Sequence, residues 1–367
     1  MIGPAALRDA PAPVERPATS RRTLELVQIF RGAAAVMVML YHLGLINRFH
    51  SPFLGGAFAF GHSGIDFFFV LSGFIMLYVH WNGARGAGVV GRLRASVRFL
   101  VLRAVRIFPI YWCVLAVTVA AVWMFPPRRE YVWAPLTTLE PSTLVNAIFL
   151  ADPDHAIVAV AWTLSYELIF YGFFASYFLV GRAVFAVLVL AWSVALATQW
   201  AGITGWPHPF LLRTIVGEFF VGCLVAVLAH RCGRRRMSGW WLLLPLAVIV
   251  ATARAEFLGV IDAYKWWALP YAFLLLIGAV YDQSTVRRYP RALVLVGEAS
   301  YAIYLIHYGM IVLFAQTVAR SSWRATLSRA PNTTLLVLAA IIVLTGILVH
   351  WTIERPLWHG ARRRLAS

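Results

Sequence analysis

Long apolar runs separated by short polar segments occupy the chain from about residue 25 almost to its end. An α-helix needs roughly 20 apolar residues to cross the hydrocarbon core of a bilayer. The predicted spans are 25–46, 58–81, 98–125, 157–180, 183–201, 210–230, 239–253, 264–281, 294–318 and 333–353. The pattern therefore predicts an all-α integral membrane protein with about ten transmembrane helices.

Composition supports this prediction and excludes most soluble classes. Hydrophobic residues make up 61% of the 367 residues and charged residues only 13%, against about 25% charged residues in soluble domains. A chain so poor in charge cannot cover its apolar surface in water, which excludes an ordinary cytosolic enzyme, a disordered protein and a disulfide scaffold. The three cysteines lie in or beside apolar runs without metal-ligand spacing, so we expect core residues and no metal cofactor.

Basic residues predict the orientation of the chain in the membrane. With the N-terminus in the cytoplasm, 20 of the 32 Lys and Arg residues lie on the cytoplasmic side, eight lie outside and four lie within spans. Cytoplasmic loops of membrane proteins carry an excess of Lys and Arg. The distribution therefore predicts that both termini are cytoplasmic, and the formal charge of +17 indicates topology rather than nucleic-acid binding.

The domain organisation is predicted to be one membrane domain with two short tails. Residues 1–24 form a Pro- and Ala-rich tail that we expect to be disordered in the cytoplasm, and residues 359–367 form a basic cytoplasmic tail. Residues 25–358 are expected to form the membrane domain, and we expect neither a cleavable signal peptide nor an attached soluble domain. No internal repeat is apparent, which argues against a transporter built from inverted repeats.

Ionisable residues at bilayer depth are costly and mark candidate functional sites. Arg31 and His42 are separated by close to three helical turns, so they share a helix face about 16 Å apart. Arg103 and Arg106, at i and i+3, also share a face. One guanidinium group can donate two parallel hydrogen bonds to the oxygens of a phosphate. The three arginines therefore predict a polyanion site near the cytoplasmic surface. The alternative is that Arg103 and Arg106 extend to lipid headgroups.

His42 is the candidate general base, because imidazole has an ordinary pKa near neutrality. Such a base needs an orienting acceptor, and Asp66 and Glu167 both lie within spans that approach from the outer side. Asp66 has an alternative partner in His62, four residues earlier. A core histidine bonded to a backbone carbonyl is the alternative for His42 itself.

A polar stripe runs along the predicted span 294–318, where Tyr301, Tyr304 and His307 recur every third residue. The stripe is predicted either to line the same cavity as the arginines or to form a packed hydrogen-bonding seam. Glu218 and Arg213, five residues apart on one predicted helix, favour a structural role.

Six motifs, in the same order along the chain, resemble those of the membrane acyltransferase-3 family. They are Arg31–His42, Gly64–Phe74, Arg103–Arg106, Trp162–Tyr171, Ser300–His307 and Glu354–Pro356. The likeness covers about 25–358, and the Trp162–Tyr171 segment resembles the ExoZ-like exopolysaccharide-production branch.

This resemblance implies a multi-pass O-acyltransferase of the bacterial inner membrane. Family members of this kind take an acyl group, usually acetyl, from cytosolic acyl-CoA and deliver it to a hydroxyl of an extracytoplasmic carbohydrate such as an exopolysaccharide or its lipid-linked precursor. The implied partners are acetyl-CoA, the carbohydrate acceptor, membrane lipid and polysaccharide-biosynthesis machinery. The alternatives are an anion or proton-coupled transporter and a non-catalytic partner of polysaccharide export.

The resemblance also implies roles for individual residues. The acyl-CoA ligands would be Arg31, Arg103 and Arg106, and the catalytic set would be His42 with Glu167 or Asp66. The substrate-binding residues would be Gly55, Gly56, Trp162, Tyr304 and His307, with the paired glycines shaping the acceptor entrance. Direct acyl transfer and an acyl-histidine intermediate both stay open.

Overall fold

The computed structural model describes residues 24–46, 52–124, 141–205, 209–233, 236–262, 266–285, 289–322 and 324–364. Within these residues the secondary structure is entirely helical, which confirms the predicted all-α class. Of the predicted tails, residues 1–23 and 365–367 lie outside the described residues, whereas 359–364 continue a helix.

Thirteen α-helices follow one another along the described part of the chain. They are α1 Glu25–Ile46, α2 Gly64–Val79, α3 Val89–Met124, α4 Pro141–Phe149, α5 Trp162–Trp200, α6 Thr214–Cys232, α7 Leu243–Phe257, α8 Ala268–Ser284, α9 Arg291–Glu298, α10 Ser300–Arg320, α11 Arg324–Leu327, α12 Pro331–Val349 and α13 Arg355–Arg364. A short 3-10 turn at Ala59–Ser63 leads into α2, and a π-helical turn at His350–Glu354 joins α12 to α13.

Eight helical segments of the described chain are long and apolar enough to cross a membrane. One of them contains α5, which folds back at Gly181, where φ is +79°. The rings of Phe173 and Trp192 lie 4.9 Å apart, although a straight helix would separate them by roughly 28 Å. The two arms of α5 therefore correspond to the predicted spans 157–180 and 183–201.

The remaining predicted spans differ from the structure mainly at their ends. The apolar helix α8 has 17 residues and covers most of the predicted span 264–281. The predicted span 294–318 is divided at Ala299 between α9 and α10. The total of ten spans and the side on which the termini lie stay predictions.

Small residues bring α1 against α9 and α10. A Cβ atom at Gly297 would lie 2.0 Å from the carbonyl oxygen of Gln28, so only glycine permits this approach. Ala35 packs in a buried cluster with Ala299, which lies between α9 and α10, and with Ile303 of α10. Small residues at helix contacts allow this close approach within membranes, and the contact positions the polar side chains that follow on both helices.

Two further glycines mark the crossing of α2 and α6. A Cβ atom at Gly73 would lie 1.9 Å from the carbonyl oxygen of Phe219, and one at Gly222 would lie 1.9 Å from that of Val70. The two backbones are therefore in direct contact. This crossing holds α2 in place, and α2 forms one wall of the cavity described below.

We expect Gly222→Ala to lower the thermal unfolding temperature of the purified protein, because the added methyl group would overlap backbone atoms of α2. Overpacking of this kind typically destabilises by about 1–3 kcal/mol. Gly172→Ala is the matched control, since no atom lies within 4 Å of a Cβ there and alanine is favoured over glycine in helices by about 0.5–1 kcal/mol. Equal unfolding temperatures in detergent for the two variants would contradict the close crossing.

Candidate active site

A cavity of about 160 Å³ lies between α1, α2, α3, α5 and α10. Ile65 and Met76 both line it, so it extends about 16 Å along α2. Its polar lining consists of Gln28, Arg31, Ser72, Arg103, Arg106, Thr163, Glu167, Tyr171, Ser300, Tyr301 and Tyr304. The three predicted anion-binding arginines thus meet around one cavity, although they come from two different helices.

Arg31 and Arg103 are held by neutral groups rather than by ion pairs. Arg31 donates a hydrogen bond to Oε1 of Gln28 at 2.6 Å, and the guanidinium of Arg103 lies 5.3 Å from the ring centroid of Tyr171. Among the described residues, no carboxylate lies within 4.0 Å of Arg31, Arg103 or Arg106. Their charges are therefore available to a ligand.

Glu167 carries the one negative charge of the cavity lining. It accepts hydrogen bonds from Oγ of Ser72, at 3.1 Å, and from the hydroxyl of Tyr171. Glu354 also lies within electrostatic range of Arg31, so three guanidinium groups face two carboxylates and an excess of positive charge remains around the cavity. Uncompensated charge is expensive in a low-dielectric interior, so the site is suited to an anionic ligand.

His42 lies outside this lining and contacts another histidine. Its Nδ1 is 2.9 Å from the carbonyl oxygen of Val38 and 3.2 Å from Nε2 of His307, and the two imidazole centroids are 5.0 Å apart. The contact follows from the packing of α1 on α10. Ala35 of α1 lies beside the start of α10, at Ser300, and each histidine lies about two helical turns further along its own helix.

Neither carboxylate predicted to orient His42 contacts it. Asp66 faces Glu218 of α6 within hydrogen-bonding reach, and Glu167 lies with the arginines. The sequence-based pairing of His42 with Asp66 or Glu167 therefore needs correction. The face of α1 that carries His42 packs against α10 instead. His307 takes the place of the expected acceptor.

The polar stripe of α10 is divided between two environments. Tyr301 and Tyr304 line the cavity, and the hydroxyl of Tyr304 donates to the carbonyl oxygen of Val160 at 3.0 Å. His307 is fully buried, and its Nδ1 lies against the carbonyl oxygen of Tyr304. The stripe was predicted either to line the cavity or to form a packed hydrogen-bonding seam. The two tyrosines agree with the first alternative and His307 agrees with the second.

His62 pairs with a residue that the sequence did not indicate. Its Nε2 lies 2.9 Å from Oε1 of Glu256 in α7, whose other oxygen accepts from Nε1 of Trp267 at 3.2 Å. The sequence suggested Asp66 as a partner of His62, and the structure gives a contact from a distant helix.

The other predicted substrate-binding residues do not line the cavity. Gly55 and Gly56 follow Leu54 in a 3-10 turn and have φ values of +66° and +81°. A Cβ atom added at either glycine would have no atom within 4 Å. Trp162 begins α5, and its ring lies edge-on to Tyr166 at 6.0 Å. None of the three predicted residues contacts His42.

A separate ion cluster lies between the loop before α5 and the start of α6. Arg213 donates to Asp154 at 3.0 Å, and Nδ1 of His155 lies 2.7 Å from Asp152. Burial alone would raise the pKa of the Asp152 carboxyl, but hydrogen bonds from the Asp154 backbone and the His155 side chain hold that pKa below its usual range. Arg213 thus pairs with this loop, while Glu218 lies beside Asp66.

Several cavity residues were not selected from the sequence. Gln28 precedes Arg31 by three residues and Tyr171 follows Glu167 by four, so helical spacing could have indicated both. Ser72 and Thr163 lie within the Gly64–Phe74 and Trp162–Tyr171 motifs, but no spacing marks them individually, because their positions in the cavity depend on which helices meet.

Comparison with known proteins agrees with the sequence motifs. A family model described as an acyltransferase domain matches residues 26–352. The exopolysaccharide production protein ExoZ of Rhizobium meliloti (strain 1021) is 29% identical over 341 residues, which cover 84% of this chain and 93% of ExoZ. No solved structure matches the chain.

Proposed function

This chain belongs to the acyltransferase family, and on that premise we propose that it transfers an acyl group, typically acetyl, from cytosolic acyl-CoA to a hydroxyl of an extracytoplasmic carbohydrate. The observation that carries the proposal is the cavity in which Arg31, Arg103 and Arg106 surround a single carboxylate. Acyl-CoA combines several phosphate charges with a slender thioester arm, and the cavity offers cationic groups and an elongated shape.

The size of the cavity determines how much of acyl-CoA it can take. A volume of about 160 Å³ is close to that of cavities that bind benzene-sized molecules. The nucleotide therefore stays outside, with its phosphates near the arginines, and the thioester arm enters along α2. The cavity extends to Tyr304, whose ring lies 5.6 Å from that of His307.

The chemistry assigned to His42 is general-base catalysis at the end of this path. His42 removes the proton from the acceptor hydroxyl as its oxygen attacks the thioester carbonyl. The new C–O bond forms, the C–S bond breaks, and the CoA thiolate takes up the proton that His42 received. An acyl-histidine intermediate would divide the same transfer into two steps.

The carbohydrate acceptor is inferred from the similarity to ExoZ. ExoZ is an exopolysaccharide production protein, so the acceptor class proposed for this chain is an exopolysaccharide or its lipid-linked precursor. The protein would then lie in the bacterial inner membrane, beside polysaccharide-biosynthesis machinery, because that position gives access to cytosolic acyl-CoA and to an extracytoplasmic sugar.

Purified protein in proteoliposomes tests the proposal directly. Radiolabelled acetyl-CoA is supplied on one side and exopolysaccharide oligosaccharides on the other, and we expect loss of thioester together with label in the glycan. Label that crosses the membrane with its thioester intact would favour the transporter alternative. A protein that binds CoA but never acetylates a panel of glycan acceptors would contradict the proposed acceptor class.

A further inference from the structure

Two imidazoles in direct contact inside a membrane domain limit the charge that either can carry. His307 is fully buried, and its Nε2 lies 3.2 Å from Nδ1 of His42. A charge on either ring is costly in a low-dielectric interior, and two adjacent imidazolium ions would also repel each other. The resting pair is therefore assigned as two neutral rings, and the positions of their two protons determine what each ring can do.

Backbone carbonyls determine those proton positions. A carbonyl oxygen can only accept, so Nδ1 of His307, which lies against the carbonyl oxygen of Tyr304, carries its proton. Nε2 of His307 is left with a lone pair. Nδ1 of His42 then faces two acceptors, the carbonyl oxygen of Val38 at 2.9 Å and Nε2 of His307 at 3.2 Å. It therefore carries a proton as well.

The remaining nitrogen of His42 is the basic one. With the proton on Nδ1, Nε2 has a lone pair, and it makes no hydrogen bond to any residue in the described part of the chain. Tyr41 and Tyr308 lie edge-on to the imidazole, with centroids 5.2 and 5.4 Å away, and restrict its rotation. A catalytic base oriented through its other ring nitrogen follows the same logic as a hydrolase triad.

We propose that His307 is the positioning residue of the site: it accepts a hydrogen bond from Nδ1–H of His42 and thereby presents Nε2 of His42 as the base. This inference rests on the proposed acyltransferase function. His307 fills the orienting role that carboxylates usually have, and as a neutral ring it does so without a permanent charge inside the membrane. When His42 accepts a proton, the lone pair of His307 stabilises the imidazolium.

A pair of variants at His307 separates positioning from other roles. His307→Leu removes the acceptor, and we expect kcat to fall by about 10–100-fold, as it does when the hydrogen-bond partner of a metal-ligating histidine is removed. KM and CoA binding are expected to stay unchanged, because His307 does not line the cavity. His307→Gln restores an acceptor oxygen near the position of Nε2, and we expect it to recover most of the lost kcat with a wild-type pH profile.

Each other outcome overturns the inference in a recognisable way. Full activity of His307→Leu would exclude a positioning role while leaving the proposed function intact. Equal loss in the folded Leu and Gln variants would make His307 a proton carrier, since glutamine cannot titrate. Weakened CoA binding would make it a ligand-binding residue.

A measurement on the unmodified protein covers the case in which the variants do not fold. Nitrogen NMR of 15N-histidine-labelled wild type, with the His42 signal assigned from its absence in His42→Ala, reports which ring nitrogen is protonated. A proton on Nδ1 supports the assignment, and a proton on Nε2 overturns it. Failure of the proposed function is seen separately, as wild-type protein that does not consume acyl-CoA.

Discussion

His42→Ala is expected to lower acyl transfer by about 10²–10⁴-fold, the range that a positioned general acid or base contributes. CoA binding should change little, because His42 does not line the cavity that contains the arginines. The measurement is the initial rate of glycan acetylation in proteoliposomes, together with CoA titration of the same preparation. A large effect on rate with unchanged binding assigns His42 to the chemical step.

His80→Ala is the matched control for this prediction. Nδ1 of His80 lies 2.9 Å from the carbonyl oxygen of Met76, four residues earlier, just as Nδ1 of His42 lies 2.9 Å from that of Val38. Both variants therefore lose the same local hydrogen bond, but only one loses the contact with His307. Comparable rates for the two variants, or near wild-type transfer by His42→Ala, would remove His42 from the mechanism.

Combining Arg31→Gln with Arg103→Gln is expected to weaken CoA binding by about 10–100-fold. A hydrogen bond to a charged group contributes about 1.5–3 kcal/mol, and about 1.4 kcal/mol corresponds to a tenfold change in affinity. The two effects need not add, since both residues line the same cavity. Calorimetric titration of CoA into the detergent-solubilised protein measures the change.

Arg213→Gln removes the same charge at a different place and serves as the control. Arg213 pairs with Asp154 in the ion cluster beside the start of α6 and does not line the cavity. Its removal is expected to leave CoA affinity within about twofold, because an exposed ion pair contributes roughly 0–1 kcal/mol and acts locally. Equal weakening by Arg213→Gln would indicate a general effect of net charge, and unchanged affinity of the double variant would contradict the anion site.

The cationic set illustrates what local sequence spacing can predict. Arg103 and Arg106 share a helix face because i and i+3 positions are neighbours on any α-helix. The cost of burying charge in a bilayer then marks Arg31 and both of these residues as functional candidates. Their convergence on one cavity agrees with that reading, since all three line it.

The partner of His42 illustrates what local spacing cannot predict. Asp66 and Glu167 were reasonable acceptors by residue type and estimated depth, but estimated depth says nothing about which helices are neighbours. The neighbour of α1 at this point is α10, and the residues in contact are 265 positions apart in the chain. The pairing of His62 with Glu256, 194 positions apart, is of the same kind.

The sequence by itself determined the all-α membrane class, the approximate spans and the candidate cations and base, because apolar run length and helical periodicity are properties of consecutive residues. Only the tertiary structure decided that Glu167 lies with the arginines and that His307 faces His42. The physical reason is that helix contacts inside a membrane depend on the fit of small residues such as Gly297 and Gly222. These contacts form between helices that are distant in the chain, and no periodic pattern in the sequence of either helix indicates its partner.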